Sequence, residues 1–156
     1  MITTDAQAFR EALPLGGALI GLDLGTKTIG TAFCDAGWRF ASPGKTVPRG
    51  KFTADKALLA ALMAERAIQG VVIGLPINMD GSEGPRSQSS RAYARNLGVL
   101  GLPILLWDER WSTASAERGL IAQDISRAKR VSRIDSAAAA VILQAAIDAL
   151  AGGSLA

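Results

Sequence analysis

The chain of 156 residues is 49% apolar and 20% charged, which suits one globular domain with its own core. It has no histidine and one cysteine, so histidine-based catalysis, an internal disulfide and a cysteine-rich zinc site are excluded. The net charge of +3 is weak evidence by itself for a nucleic-acid partner. The sequence shows neither an apolar run of about 18 residues nor a signal-peptide pattern, so we expect a cytoplasmic protein without a membrane partner.

Apolar periodicity and turn residues predict strands and helices in a regular order. Thr4 or Asp5 can cap a short helix that ends at Leu13. Three strands follow, at residues 18–24, 28–34 and 38–47, and Pro43-Gly44 interrupts the third of them. The remaining predicted elements are a helix at 53–67 capped by Thr53, a strand at 71–73, a helix at 86–97, a strand at 103–107, a helix capped by Ser112 or Thr113 and ending near 122, a basic loop at 123–133 and an alanine-rich helix at 134–150.

This order of elements predicts an α/β domain. A meander of three strands followed by helix–strand units makes a mixed five-stranded sheet, antiparallel at one edge and parallel inside, flanked by helices. Sites in such sheets form beyond the carboxyl ends of the parallel strands.

An acidic residue stands inside the first apolar strand, in the motif GLDLGTKTIG at residues 21–30. Burying the Asp23 carboxylate is costly unless it is paired or bound to a metal ion. Gly25 permits a tight turn after it, and Thr26 and Lys27 offer donors to a phosphate. The alternative is a strand-end aspartate that accepts backbone hydrogen bonds from the turn.

Two adjacent acids follow the strand at 103–107, in the motif WDERWST. Because side chains alternate across a strand, Asp108 and Glu109 point to different faces unless the strand has ended. One can bind a metal ion while the other caps a helix or pairs with Arg110. Alternatively, both only complement the dipole at a helix N-terminus.

The third acid, Asp135, lies in the motif RIDSAAAAVIL, in the first turn of the predicted last helix. On local grounds it could equally be a helix cap. Three carboxylates from distant segments suit two Mg²⁺ or Mn²⁺ ions, about 3.5–4 Å apart, that promote phosphodiester hydrolysis without histidine. We therefore predict a two-metal nuclease with Asp23, Glu109 and Asp135 as metal ligands and Asp108 as a further catalytic candidate; which of the adjacent acids binds metal stays open.

Polar and basic segments near these acids predict the substrate contacts. The loop at 76–85 follows a strand, and the basic loop precedes Asp135, where nucleic-acid phosphates would lie; the alternatives are a simple connection and a solvated charged face. Trp111 is the better candidate for stacking on bases, whereas Trp107 and Cys34 are expected in the core. The candidate substrate-binding residues are Thr26, Lys27, Asn78, Arg86, Arg110, Lys129, Arg130 and Arg133.

The motifs GLDLGTKTIG, GLPINMDGSEGPRS, DERWST and IDSAAAAVIL, in this order and spacing, resemble the YqgF/RuvX family from Leu19 to about Asp148. The resemblance implies a single RNase H-like domain over 1–156, with 1–17 as an N-terminal extension, and a relationship to the resolvase RuvC. It implies a nuclease that processes the 5′ end of precursor 16S rRNA. The same three acidic positions carry over, whereas Trp111 stands where the family usually has leucine.

Three other functions are compatible with the sequence. A Holliday junction resolvase would cut branched DNA, and the two-fold symmetry of a junction favours a homodimer over a monomer. A non-catalytic RNA- or ribosome-binding factor could keep the fold. An ATP-binding protein could use DLGTK as a phosphate loop, but sugar kinases and actin-like ATPases clamp nucleotide between two such domains and this chain supplies one.

Overall fold

The computed structural model describes residues 1–112 and 127–152, and the side chains of 1–112 and 136–152. No helix in these ranges is long and apolar enough to cross a membrane. Short 3-10 helices lie at Gly98–Leu100 and Glu109–Trp111. The elements in chain order are β1 (Ile2–Thr3), α1 (Ala6–Ala12), β2 (Leu19–Leu24), β3 (Thr28–Cys34), β4 (Ala41–Pro43), β5 (Val47–Pro48), α2 (Phe52–Glu65), β6 (Gly70–Leu75), α3 (Pro85–Leu97), β7 (Ile104–Asp108) and α4 (Arg127–Gly152).

The strands form one mixed sheet in the order β1-β7-β6-β2-β3-β4, with β5 also paired to β3. Strands β1, β7, β6 and β2 run parallel, while β3 is antiparallel to β2, β4 and β5. The predicted mixed α/β sheet is therefore confirmed, although within the described residues it has seven strands where five were predicted. The predicted strand at 38–47 is divided into β4 and β5, which both pair with β3, and between them Gly44 donates its N–H to the Thr31 carbonyl of β3 at 2.7 Å.

The start of the chain contributes the strand that the sequence did not predict. In β1, Ile2 pairs with Ile104, which extends the parallel part of the sheet by one edge strand. Two residues are too few to show a period, so no sequence pattern marks them. The predicted helix after them is confirmed: Asp5 accepts from the Gln7 N–H at 2.9 Å as its cap. Phe9 of this helix is fully buried.

Successive side chains of each strand point to opposite faces of the sheet, so the core is divided into two layers. Ile20, Leu22 and Leu24 pack with α2 and α3 on one face of the sheet. Leu19 packs with α1 and α4 on the other. Asp23 has the same parity as Leu19, so β2 directs this carboxylate to the α4 face.

Helix α2 begins differently from the prediction. Its N-cap is Lys51, not Thr53, and no side chain makes the capping bond. The first helical residue, Phe52, packs edge-on against Tyr93 with ring centroids 5.3 Å apart. Asp55, in the first turn, instead accepts the Gly50 N–H at 2.9 Å. Tertiary packing of the aromatic ring therefore sets the start of this helix.

Helix α4 begins earlier than predicted. The structure places Arg127–Arg133 in the helix, so the expected basic loop is wrong over those residues. Alanine, arginine and lysine are strong helix formers, and they continue a helix even where no apolar stripe marks it. The first part of that loop, 123–126, and the predicted helix from 113 to 122 lie outside the described residues.

The expected burial of Cys34 is confirmed, since its side chain is 6% exposed. Burial raises the pKa of the thiol from 9.0 to about 11. A raised pKa stabilises the folded state below pH 9, and this contribution is lost as pH rises through 11. We expect the free energy of unfolding to fall more between pH 8 and 11 in the wild type than in Cys34→Ala. Urea titrations at both pH values measure this, and equal losses would contradict it.

Candidate active site

Asp23 is 3% exposed and lies near the carboxyl end of β2. On the antiparallel side its partner is Gly30 of β3. On the parallel side Leu22 pairs with Ile73, and continuing this register by one residue brings Gly74 beside Asp23. Both neighbouring strands therefore have glycine at this level, so neither places a side chain directly beside the carboxylate.

Helix α4 packs closely on β2 through another glycine. A Cβ at Gly21 would lie 2.8 Å from the Cβ of Leu143 and 3.2 Å from the carbonyl oxygen of Ala139. Asp135 is one turn of the helix before Ala139, about 6 Å along its axis. Its backbone is helical, and its side chain lies outside the described part of the chain.

Glu109 follows β7 in a short 3-10 helix, Glu109–Trp111. Its carboxylate reaches back over β6, where Oε2 is 3.2 Å from the position that a Cβ of Gly74 would occupy. Ile142 of α4 contacts the same position with its Cδ1 at 2.7 Å, so Glu109 is on the α4 face. The structure thus brings Glu109 to the same face as Asp23, with Gly74 between the two residues.

Asp108 makes different contacts from Glu109. It is the N-cap of the 3-10 helix, and its Oδ1 accepts the Arg110 N–H at 2.9 Å. Its Oδ2 pairs with Arg110 Nη2 at 2.7 Å. Hydrogen bonding to Asp108 raises the pKa of Arg110. The chain therefore uses Asp108 to hold Arg110 and brings Glu109 toward Asp23.

The turn after Asp23 presents its side chains to solvent. Gly25 donates its N–H to the Thr28 carbonyl at 2.8 Å, which closes the turn. Thr26 and Lys27 are both exposed. Arg86, also exposed, donates from Nη2 to the Leu24 carbonyl at 3.4 Å. These three predicted substrate-binding residues therefore lie near Asp23: Thr26 and Lys27 follow it in the turn, and Arg86 contacts the carbonyl of the next residue, Leu24.

The loop between β6 and α3 is folded on itself. The Asn78 N–H donates to the Ser82 carbonyl at 2.9 Å, and Gly81 takes a φ of +88°, which favours glycine. The Asp80 carboxylate accepts both the N–H and the hydroxyl of Ser82, and these bonds lower its pKa. At Gly81 a Cβ would lie 3.8 Å from Arg110 Nη1, so the loop is next to the Asp108–Arg110 pair.

A carboxylate ties this loop to α3. Glu83 accepts two hydrogen bonds from Arg91, at 2.6 and 2.8 Å, and one from the Ser87 hydroxyl at 2.7 Å. The bonds from Arg91 and then from Ser87 lower the pKa of Glu83 to about 2. The ionised Glu83 carboxylate therefore stabilises the folded state. This contribution is fully present above the ordinary pKa of 4.5 and is lost as pH falls through about 2.

We expect the Glu83 carboxyl to remain ionised at pH 3.5 in the folded wild type. Its ¹³C chemical shift should not move between pH 6 and 3.5. In Arg91→Met the same signal should titrate at a higher pH than in the wild type, because the largest cause of the lowered pKa is removed while the bond from Ser87 remains. A Glu83 signal that moves equally in both proteins would contradict this assignment.

The tryptophans differ as expected. Trp111 is 66% exposed, and the Arg110 guanidinium lies over its ring at 5.4 Å. Trp107 packs partly buried against the α4 layer, and its indole N–H has no hydrogen-bond acceptor within the described part of the chain. Trp107 therefore lies against the core and not inside it, so the expectation that it belongs to the core holds only in part, and Trp111 remains a candidate for stacking.

The donors around Asp23 suit a hard divalent cation, because both described carboxylates offer oxygen and histidine and thiol ligands are absent. Among the side chains that the structure describes, no group of three candidate ligands forms a metal site. A third carboxylate would have to come from Asp135, which would complete the predicted set of metal ligands.

Sequence reasoning missed the contribution of three residues near this edge. Gly30 and Gly74 are visible in the motifs, but only the strand register places them on either side of Asp23. Arg49 carries no motif, yet it contacts the turn after Asp23 at two carbonyls. Long-range pairing, not local pattern, identifies all three.

Comparisons with known proteins agree with this architecture. RuvC of T. thermophilus, in complex with a Holliday junction substrate, superposes with a TM-score of 0.55 at 13% identity, over 87% of this chain and 96% of that one. The yeast mitochondrial Holliday junction resolvase Ydc2 gives a TM-score of 0.50 at 11% identity, over 93% and 85% of the two chains. At these identities the likeness shows the fold, which is RNase H-like.

Sequence relatives are much closer. A protein of Sphingopyxis alaskensis is 67% identical over 150 residues, 96% of this chain and 99% of its own length. One of Novosphingobium aromaticivorans is 67% identical over 154 residues, 99% of each chain. Both carry the name "Putative pre-16S rRNA nuclease". The family model described as "RuvX: Holliday junction resolvase" matches residues 17–149, and the chain belongs to this RuvX family.

Proposed function

We propose that the chain is a metal-dependent nuclease that hydrolyses phosphodiester bonds in 5′-end processing of precursor 16S rRNA. The observation that supports this most directly is the approach of Glu109 to Gly74, which puts it on the face of the sheet that carries Asp23. Two carboxylates on one face of the sheet offer the oxygen ligands that Mg²⁺ or Mn²⁺ takes in a nuclease site.

In this proposal Asp23, Glu109 and Asp135 hold two Mg²⁺ or Mn²⁺ ions. Bound there, the metal ions would activate water and stabilise the leaving oxygen of a phosphodiester. Helical spacing supports Asp135 as the third ligand. Residues four apart lie on one face of a helix, and Ala139, four residues later, lies against β2. Asp108 would act through Arg110, which it orients by three side-chain hydrogen bonds.

The chain's own basic and polar residues would bind and orient the nucleic acid. Thr26 and Lys27 at the turn and Arg86 beside it would contact phosphate close to Asp23. The helix α4 extends about 14 Å before Ser136 and carries Lys129, Arg130 and Arg133, which would neutralise further phosphates. Asn78 and Arg110 would contact substrate from the neighbouring loop, and the exposed Trp111 would stack on a base.

The relatives' names favour precursor 16S rRNA as the substrate. The alternative, a resolvase acting on branched DNA, is favoured by the description of the family model and by the fold shared with a junction-bound RuvC. A junction has two-fold symmetry, so that alternative calls for a homodimer, whereas a monomer suffices for cutting a single RNA strand.

The test uses purified protein with Mn²⁺ or Mg²⁺ and two labelled substrates, an rRNA-precursor leader and a four-way DNA junction. We expect cutting of the leader that EDTA abolishes. Preference for the junction would replace the rRNA assignment with the resolvase. Binding of RNA without cutting under either metal would favour the non-catalytic binding factor, and the carboxylates would then need another explanation.

A further inference from the structure

Arg49 makes four contacts, two with the turn following Asp23 and two with helix α3. Its backbone N–H donates to the Lys27 carbonyl at 2.9 Å, and Nη1 donates to the Gly25 carbonyl at 2.8 Å. The other terminal nitrogen, Nη2, donates to the Ser89 hydroxyl at 3.0 Å. The guanidinium carbon lies 5.0 Å from the centre of the Tyr93 ring. One side chain thus links the turn to helix α3.

The ring beneath Arg49 is itself held in place. Tyr93 is 6% exposed and donates its hydroxyl to Asp55 Oδ2 at 3.1 Å. Asp55 is 2% exposed, and its other oxygen accepts the Gly50 N–H, one residue after Arg49. The segment that carries Arg49 and the ring on which it packs are therefore both fixed to the same buried carboxylate.

From these contacts we propose that Arg49 is a positioning residue that holds the Gly25–Lys27 turn in the geometry needed for substrate. This inference rests on the proposed nuclease function. A tight turn has few internal bonds, and here the bond from the Gly25 N–H to the Thr28 carbonyl closes it from within. The two terminal nitrogens of the guanidinium hold the Gly25 carbonyl on one side and the Ser89 hydroxyl of α3 on the other. An ammonium group cannot reproduce this planar fork.

The variant Arg49→Met tests this, because methionine keeps the packing on Tyr93 and removes the two side-chain hydrogen bonds. The backbone bond to Lys27 remains, so the fold should survive. Hydrogen–deuterium exchange of the metal-free protein would measure protection of the amides from Gly25 to Thr28. Cleavage kinetics of the rRNA-precursor leader with Mn²⁺ would give kcat and KM separately. Arg49→Lys is the conservative variant, and Lys51→Met removes an equal charge from an exposed neighbour.

We expect faster exchange at the turn and a fall in kcat of about 10- to 100-fold, the range for residues that orient a metal site's ligands and substrate. Arg49→Lys should recover part of the loss, and Lys51→Met should match the wild type in both measurements. Unchanged exchange at the turn, or an equal loss of kcat in Lys51→Met, would overturn the proposal. If the wild type cuts no substrate, the nuclease function fails, while the exchange measurement still decides whether Arg49 holds the turn.

Discussion

Replacing Asp23 with asparagine is expected to abolish metal-dependent cleavage while leaving the fold and nucleic-acid binding intact. Asparagine has the same shape but no charge, and it is a poor ligand for Mg²⁺ or Mn²⁺. Metal ions contribute several kcal/mol to stabilising the transition state of phosphodiester hydrolysis. At 1.36 kcal/mol for each factor of ten, the expected loss of rate is about a thousandfold or more.

The measurement compares single-turnover cleavage of the preferred substrate by the wild type and Asp23→Asn across a Mn²⁺ titration. Asp35→Asn is the matched control, because Asp35 is exposed and lies at the opposite end of β2 and β3. Substrate binding, measured in EDTA, should be equal in all three proteins. Cleavage by Asp23→Asn at the wild-type rate would show that the catalytic carboxylate is elsewhere.

Adding one methyl group at Gly74 is expected to reduce cleavage about tenfold, because the Glu109 carboxylate must give by a few tenths of an ångström and a displacement of about 1 Å costs about 100-fold. The new Cβ would lie 3.2 Å from Glu109 Oε2 and 2.7 Å from Ile142 Cδ1. Two effects therefore combine in Gly74→Ala. The carboxylate moves away from Asp23, and overpacking against α4 costs about 1–3 kcal/mol of unfolding free energy.

A second substitution separates these effects. Ile142→Val removes the Cδ1 atom that the new methyl group would meet, so the double variant should recover the stability lost by Gly74→Ala. Its activity should stay low, because the contact with Glu109 persists. Urea unfolding and cleavage rates are measured on the wild type, Gly74→Ala, Ile142→Val and the double variant, which together form a double-mutant cycle. If the double variant regains full activity, the loss came from packing and Glu109 has no part in the reaction.

Much of the fold could be predicted from local sequence. The strand ending at Leu24, the next strand over Thr28–Cys34 and the helix ending at Leu97 agree with the structure to within a residue. Each has a clear period and a clear stop signal, because neighbours along the chain decide its conformation. The starts of α2 and α4 differ, since one depends on a distant aromatic ring and the other lacks an apolar stripe.

The sequence by itself determined that Asp23 stands in an apolar strand, that two adjacent acids stand at the end of β7 and that the motifs match the RuvX family. Local composition and spacing carry this information. Only the tertiary structure decided which of the adjacent acids turns toward Asp23, because Asp108 is drawn into its pair with Arg110 while Glu109 reaches over Gly74. It also decided that glycines flank Asp23 and that Arg49 supports the neighbouring turn, since strand register and long-range contacts join residues that no local pattern relates.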